Sequence, residues 1–210
     1  SYSGGGVYIE DTGTFIMNGG SITDNITESN GGGVYIKSGA TFIMNGGSIT
    51  DNNAGSNGGG VYNGGTFEMS GTATVSNNTA DTNGGGVYNY GTTYMSGTAT
   101  VSNNTATQGG GVFNSDGTFK MSDAAVIADN TATDSGGGGS YGGGGVCNHQ
   151  GTFEMSGGEI KNNKATNGHG GGVNNTTSSK ANPAKFTMTG GSITGNSAST
   201  TGGGVNNYYS

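Results

Sequence analysis

The chain has 210 residues, with 49 glycines, one proline, no arginine and no tryptophan, and a formal charge of −7. An acidic chain with only six scattered lysines is a poor partner for nucleic acid, and no apolar run approaches a membrane span, so no membrane insertion is expected in this segment. Collagen is excluded by the single proline and the missing G-X-Y period, which leaves disorder as the competing reading of so much glycine.

Disorder is opposed by a repeat that fills the chain and is seen best over residues 58–82. A valine follows a run of glycines at Val7, Val34, Val61, Val87, Val112, Val146, Val173 and Val205, at steps of 27, 27, 26, 25, 34, 27 and 32 residues. All seven methionines form a second column: Met17, Met44, Met69, Met95, Met121, Met155 and Met188. Two residues before each stands Phe15, Phe42, Phe67, Thr93, Phe119, Phe153 or Phe186. An aliphatic column follows at Ile22, Ile49, Val75, Val101, Ile127, Ile160 and Ile193. Three residues on comes Asn25, Asn52, Asn78, Asn104, Asn130, Asn163 or Asn196, and two after that Thr27 or an alanine. A disordered chain has no reason to hold these columns in phase.

The apolar residues pair at i, i+2, which is the period of a strand, and no window carries a helical pattern. The expected fold is all-β: a single-stranded parallel β-helix over residues 1–210, one domain, with about 26 residues per coil, seven to eight coils and three short strands per coil. The strands lie near GGGVY, TFxM and the Ile/Val residue. Stacked coils roughly 4.8 Å apart bring identical residues into register. Val, Phe, Met and Ile/Val then fill a narrow core, and the alanine marks an inner corner. The asparagines form a structural ladder, each amide bonded to the next coil, because a buried amide must be satisfied. Asn25, which heads an N-x-[ST] sequon, should be inaccessible on this reading. The three glycines supply a bend and close coil contact.

Along the chain, the first two repeats share TFIMNGGSITDN, at residues 14–25 and 41–52. The third to fifth use a turn one residue longer after methionine, and the last two return to the shorter form. Insertions near 135–141 and 176–185 break the period and read as surface loops. The chain opens and closes in mid-repeat without polar caps, so it is expected to be a piece of a longer solenoid whose open coil ends offer end-to-end self-association.

The motif Val75-Ser76-Asn77-Asn78 with Ala80, followed by Gly84-Gly85-Gly86-Val87, resembles the paired motifs F-x-x-N and G-G-A-[ILV] of polymorphic outer-membrane proteins, and is similar to repetitive adhesin-like surface proteins. It departs where Ile or Val replaces Phe and a third glycine replaces Ala. The resemblance implies right-handed coiling, an extracellular or cell-surface location and a part in adhesion. It brings no catalytic residue and no cofactor.

Candidate sites come from the outward columns. The residue after each valine is Tyr8, Tyr35, Tyr62, Tyr88 and Phe113, then Cys147, Asn174 and Asn206. By alternation the first five form an exposed aromatic strip suited to a glycan or a surface protein, or serve only to stabilise neighbouring strands. Cys147, the lone cysteine, reads as an unpaired surface residue. The column between Phe and Met (Ile16, Ile43, Glu68, Tyr94, Lys120, Glu154, Thr187) reads as ordinary surface. Asp24 and Asp51 begin a column of Asp, Asn and Gly, and offer either a calcium site shared by adjacent coils or a turn. His149 and His169 lack a third ligand at metal spacing. Thr79, Thr105 and Thr131 hint at an ice-binding face that Lys164 would spoil. No pair of carboxylates is placed as glycoside hydrolysis requires. The expected function is a non-catalytic adhesin stalk or passenger segment. The alternatives are a self-assembling structural solenoid, an ice-binding protein or a polysaccharide-active enzyme.

Overall fold

The computed structural model describes residues 3–133, 142–179 and 181–208. These residues form a parallel β-helix without helices, in which every strand pairs with its counterpart one repeat away. The valine strands build an eight-stranded sheet, and three further sheets each hold seven strands. The described chain therefore makes seven coils and the first strand of an eighth.

Each coil has four strands where the sequence predicts three. In the third coil they are Val61–Asn63, Thr66–Met69, Thr74–Ser76 and Thr79–Ala80. The fourth is only two residues long, and its alanine is buried. A period of two cannot announce itself in two residues, so the column looked like a corner. Pairing of Ala80 with Ala54 and of Ala106 with Ala132 makes it a strand.

The predicted register holds in every sheet. Val61 faces Val34 and Val87, Met69 faces Met44 and Met95, and Val75 faces Ile49 and Val101. Val, Phe, Met and Ile/Val side chains of the middle coils are buried together in one core. Phe15, Phe42 and Phe67 stack through the first three coils, with centroids 5.2 Å apart. Such offset ring contact adds to the area buried.

One column decides where this stack ends. Two residues after the first valine, Ile9 and Ile36 give way to Asn63, Asn89, Asn114, Asn148 and Asn175, all buried from Asn63 to Asn175. They form a second asparagine ladder that the sequence reading missed. Asn63 Nδ2 donates to Asn89 Oδ1 at 2.8 Å, Asn89 Nδ2 to Asn114 Oδ1 at 2.6 Å, and Asn114 Nδ2 to Asn148 Oδ1 at 2.7 Å. The run continues to Asn175 and Asn207 at 2.7 Å each. Thr93, the one exception in the phenylalanine column, belongs to this ladder. Its Oγ1 donates to Asn89 Oδ1 at 2.8 Å and accepts from Asn63 Nδ2 at 3.1 Å. A buried hydroxyl is tolerated there because the ladder supplies partners that a phenylalanine would not need.

The expected ladder is present and saturated. Asn104 Oδ1 accepts from Asn78 N at 2.9 Å and from Asn78 Nδ2 at 3.0 Å. Asn104 Nδ2 donates to Asn130 Oδ1 at 3.0 Å and to Val75 O at 3.0 Å. Both lone pairs and both N–H groups are used, as burial demands. Asn25 is not inaccessible as expected. In the first described coil it is half-buried, and it donates to Asn52 Oδ1 at 2.9 Å.

The glycine triplet has a different cause at each place. The first glycine is left-handed throughout, as at Gly58 with φ +69° and Gly84 with φ +67°. The second and third are required by proximity. A Cβ on Gly85 would stand 2.5 Å from the carbonyl oxygens of both Gly110 and Thr105. The insertion near 135–141 lies outside the described residues. The one near 176–185 leaves the core register intact: Asn175 Nδ2 reaches Ala184 O at 3.1 Å, and Thr177 Oγ1 donates to Asn182 O at 2.7 Å.

Replacing Asn104 or Asn89 by Ala should lower stability by about 1–3 kcal/mol each, because partners on two coils lose their bonds in the core. Asn53→Ala, at an exposed position, should change it by less than about 0.5 kcal/mol. Chemical denaturation of the three variants decides. Equal effects would show that the ladders are not buried and bonded as described.

Candidate functional site

The tyrosine column is ordered but it is not an open aromatic strip. Tyr8, Tyr35, Tyr62 and Tyr88 pair in register and stack face to face, with centroids 4.8–5.0 Å apart and planes within 8° of parallel. Phe113 continues the stack at 5.5 Å. Tyr35, Tyr62 and Tyr88 each have a ring stacked on both faces, which leaves their edges and hydroxyls toward solvent. Tyr8 is exposed, the next three are half-buried and Phe113 is buried. Beyond it Cys147 and Asn174 are also buried, where the sequence placed them outside. Burial pushes the Cys147 thiol up to about 12, which makes it an inert thiol rather than a surface one. Alternation sets which way a side chain starts and does not set how much its neighbours cover it.

The stack is the reason Tyr62 resists ionisation. Burial first, and then the neighbouring phenols of Tyr88, Tyr35 and Tyr90, push its pKa up to about 12. Tyr35 is raised as well, by burial and by Tyr8, against the pull of Lys37.

The Asp24 and Asp51 column is explained by its backbone. Asp24, Asp51, Asn77, Asn103, Asp129, Asn162 and Gly195 all lie between φ +56° and +65°. Asp, Asn and Gly are the residues that enter this left-handed region at least cost. The two aspartates are exposed at a bend, and the Asp24 carboxylate accepts from Thr23 Oγ1 at 3.0 Å. Among the described residues no three His, Cys, Asp or Glu side chains gather as metal ligands. His149 packs beside Phe113, and burial lowers its pKa against the opposing charge of Asp116. His169 Nδ1 lies 2.6 Å from Thr201 Oγ1.

Thr79, Thr105 and Thr131 do align on the fourth sheet, between Asn53 and Lys164. A longer threonine column went unnoticed: Thr14, Thr41, Thr66, Thr92, Thr118 and Thr152, in register on the second sheet. Its signal was a threonine immediately before the Phe column in every repeat but the last.

That second sheet also carries the column read as ordinary surface. Glu68, Tyr94, Lys120, Glu154 and Thr187 pair in sequence across five coils. The fourth repeat reads TTYM where its neighbours read TFEM and TFKM. Threonine occupies the inward place and the aromatic ring moves outside, so Tyr94 is 43% exposed. Lys120 Nζ pairs with Glu154 Oε2 at 3.1 Å on the adjacent coil. Two shallow hollows, of about 310 and 290 Å³, share Tyr94 as a wall. The larger runs along Lys120, Glu154 and Thr187, and the smaller along Glu68, Ser70 and Ser96.

The phenol of Tyr62 is neutral when protonated, and the folded chain holds that proton to about 12 where an unfolded tyrosine loses it near 10.0. The stability from its burial is complete below pH 10.0 and falls as the pH rises toward 12. Phenolate absorbance should show a late-titrating tyrosine that disappears in Tyr62→Phe. Ionisation of every tyrosine at its ordinary pKa in the folded protein would contradict the sealed stack. Comparison with protein-family models, with curated proteins and with solved structures gave no match, so the columns of this chain carry the functional argument.

Proposed function

We propose that the chain is a non-catalytic, adhesive solenoid segment of an extracellular or cell-surface protein, which binds through an outward column of its coils. The observation that supports this most is the division of labour between columns. The inward positions repeat the same few residues from coil to coil. The outward column of the second sheet changes from isoleucine to glutamate, tyrosine, lysine and threonine on a backbone whose register does not change. A rigid frame with chemically varied, evenly spaced side chains suits recognition of an extended partner, and rigid display keeps the entropy cost of binding low. Fold alone does not assign this role.

A structural, self-associating solenoid is the second reading. It is favoured by the tyrosine column, whose rings close on one another and add to the sheet instead of presenting open faces to a partner.

The test is adhesion of the purified chain, immobilised on beads, to intact cells and to a broad glycan panel. Saturable binding that survives Tyr35→Phe and Tyr62→Phe is expected, because those hydroxyl edges are not the site. Absence of binding to every surface, with concentration-dependent association in sedimentation instead, would replace the adhesive reading by the structural one.

A further inference from the structure

We propose that the two hollows beside Tyr94 are one binding site for a neutral oligosaccharide lying along the solenoid axis. This rests on the adhesive reading and names its ligand. In the tyrosine stack Tyr35 and Tyr62 each have both faces sealed by neighbours at about 5 Å. Tyr94 has no ring neighbour among the described residues, is 43% exposed, and stands between Glu68 and Lys120 in register. Both of its sides border a hollow. A freestanding phenol ring offers an apolar face to the C–H face of a pyranose, and its hydroxyl remains free to bond at the tip.

The remaining lining fits hydroxyl groups. A sugar hydroxyl both donates and accepts, and the hollows present both kinds of partner. Glu68 and Glu154 accept, Lys120 donates, and Ser96 and Thr187 do either. The Lys120–Glu154 pair spends one ammonium hydrogen and one carboxylate oxygen, and both groups stay about half exposed. The charge balance selects among sugars. Two carboxylates face one ammonium, which is already paired, so an acidic polysaccharide meets net repulsion and a neutral chain does not. The same balance disfavours nucleic acid. The direction follows from the coils: Glu68 to Thr187 is four steps, a span of roughly 19 Å at about 4.8 Å each. A linear chain along the axis crosses both hollows and passes over Tyr94 one step from its Glu68 end, whereas a chain along the strands would touch only one coil. Volumes near 300 Å³ are at the small end for ligand sites, consistent with a shallow, modest-affinity contact made by a few sugar units.

The experiment is calorimetric titration of the folded chain with β-1,4-linked hexasaccharides of glucose, mannose and xylose, and with a hexagalacturonate as the acidic counterpart. Saturable binding of at least one neutral hexasaccharide is expected, and it should exceed that of the galacturonate. Tyr94→Ala should weaken it about tenfold or more, Tyr94→Phe should leave it near the parent value, and Lys120→Met should weaken it less than Tyr94→Ala. Circular dichroism and melting of each variant establish that it is folded, as an exposed position allows. No binding of any neutral hexasaccharide, preference for the acidic one, or binding indifferent to Tyr94→Ala in a folded variant would each overturn the proposal. The two readings separate cleanly. Cell adhesion that persists in Tyr94→Ala sinks this site and leaves the adhesive reading standing. Oligosaccharide binding without adhesion to any cell or glycan surface does the reverse.

Discussion

Everything in this molecule depends on one constraint: each coil must meet the next at strand spacing all the way round. Strand pairing satisfies the backbone over the four sheets. Backbone bonds between coils continue through the bends, as from Gly58 N to Asn83 O at 2.9 Å and from Ser70 N to Met44 O at 2.9 Å, and two asparagine ladders add side-chain bonds to them. The Asn104 side chain bonds the coils on either side and a valine carbonyl as well. Asn114 links to Asn148 and to the carbonyls of Gly117 and Thr152. The glycine triplet belongs to the same constraint, since carbonyls of the neighbouring coil occupy the space a side chain would need at Gly85. A core this narrow has little room for error, and the ladder asparagines inside it are tolerated because their amides are bonded.

The same constraint explains why surface and core behave differently. Stacking forces like upon like inside, where Met lies on Met and Asn on Asn. Outside, stacking can do two things. It can close a column on itself, as the tyrosines do by covering one another's faces. It can also leave a column heterogeneous, as from Glu68 to Thr187, where neighbouring side chains differ in length and hollows form between them. Recognition chemistry is therefore sought in the irregular column. The regular one adds to the sheet it stands on.

This also marks how far the sequence could be read. Registered columns of Phe, Met, Val and Asn made the solenoid and its first ladder legible, because side-chain identity at a fixed period has few other causes. The second ladder was hidden because the first two coils use Ile9 and Ile36 at its place, so the column does not look uniform. The fourth strand was hidden by its length. The tyrosine strip was misjudged because alternation gives direction without cover, and Cys147 was misplaced for the same reason. Tyr94 was readable in principle. The exchange of Phe-x-Met for Thr-Tyr-Met shows an aromatic leaving the core, but the meaning of that exchange needs Asn89 and Asn63 beside Thr93.

The ladders are the central claim, and side-chain amide hydrogen exchange followed by NMR tests them most directly. The NH₂ hydrogens of Asn78, Asn104, Asn114, Asn130 and Asn148 should exchange orders of magnitude more slowly than those of the exposed Asn53. Protection should extend to both ladders alike. Exchange of the ladder amides at the rate of Asn53 would mean that the coils are not held together through their asparagines, and the account of this fold would fail at its base.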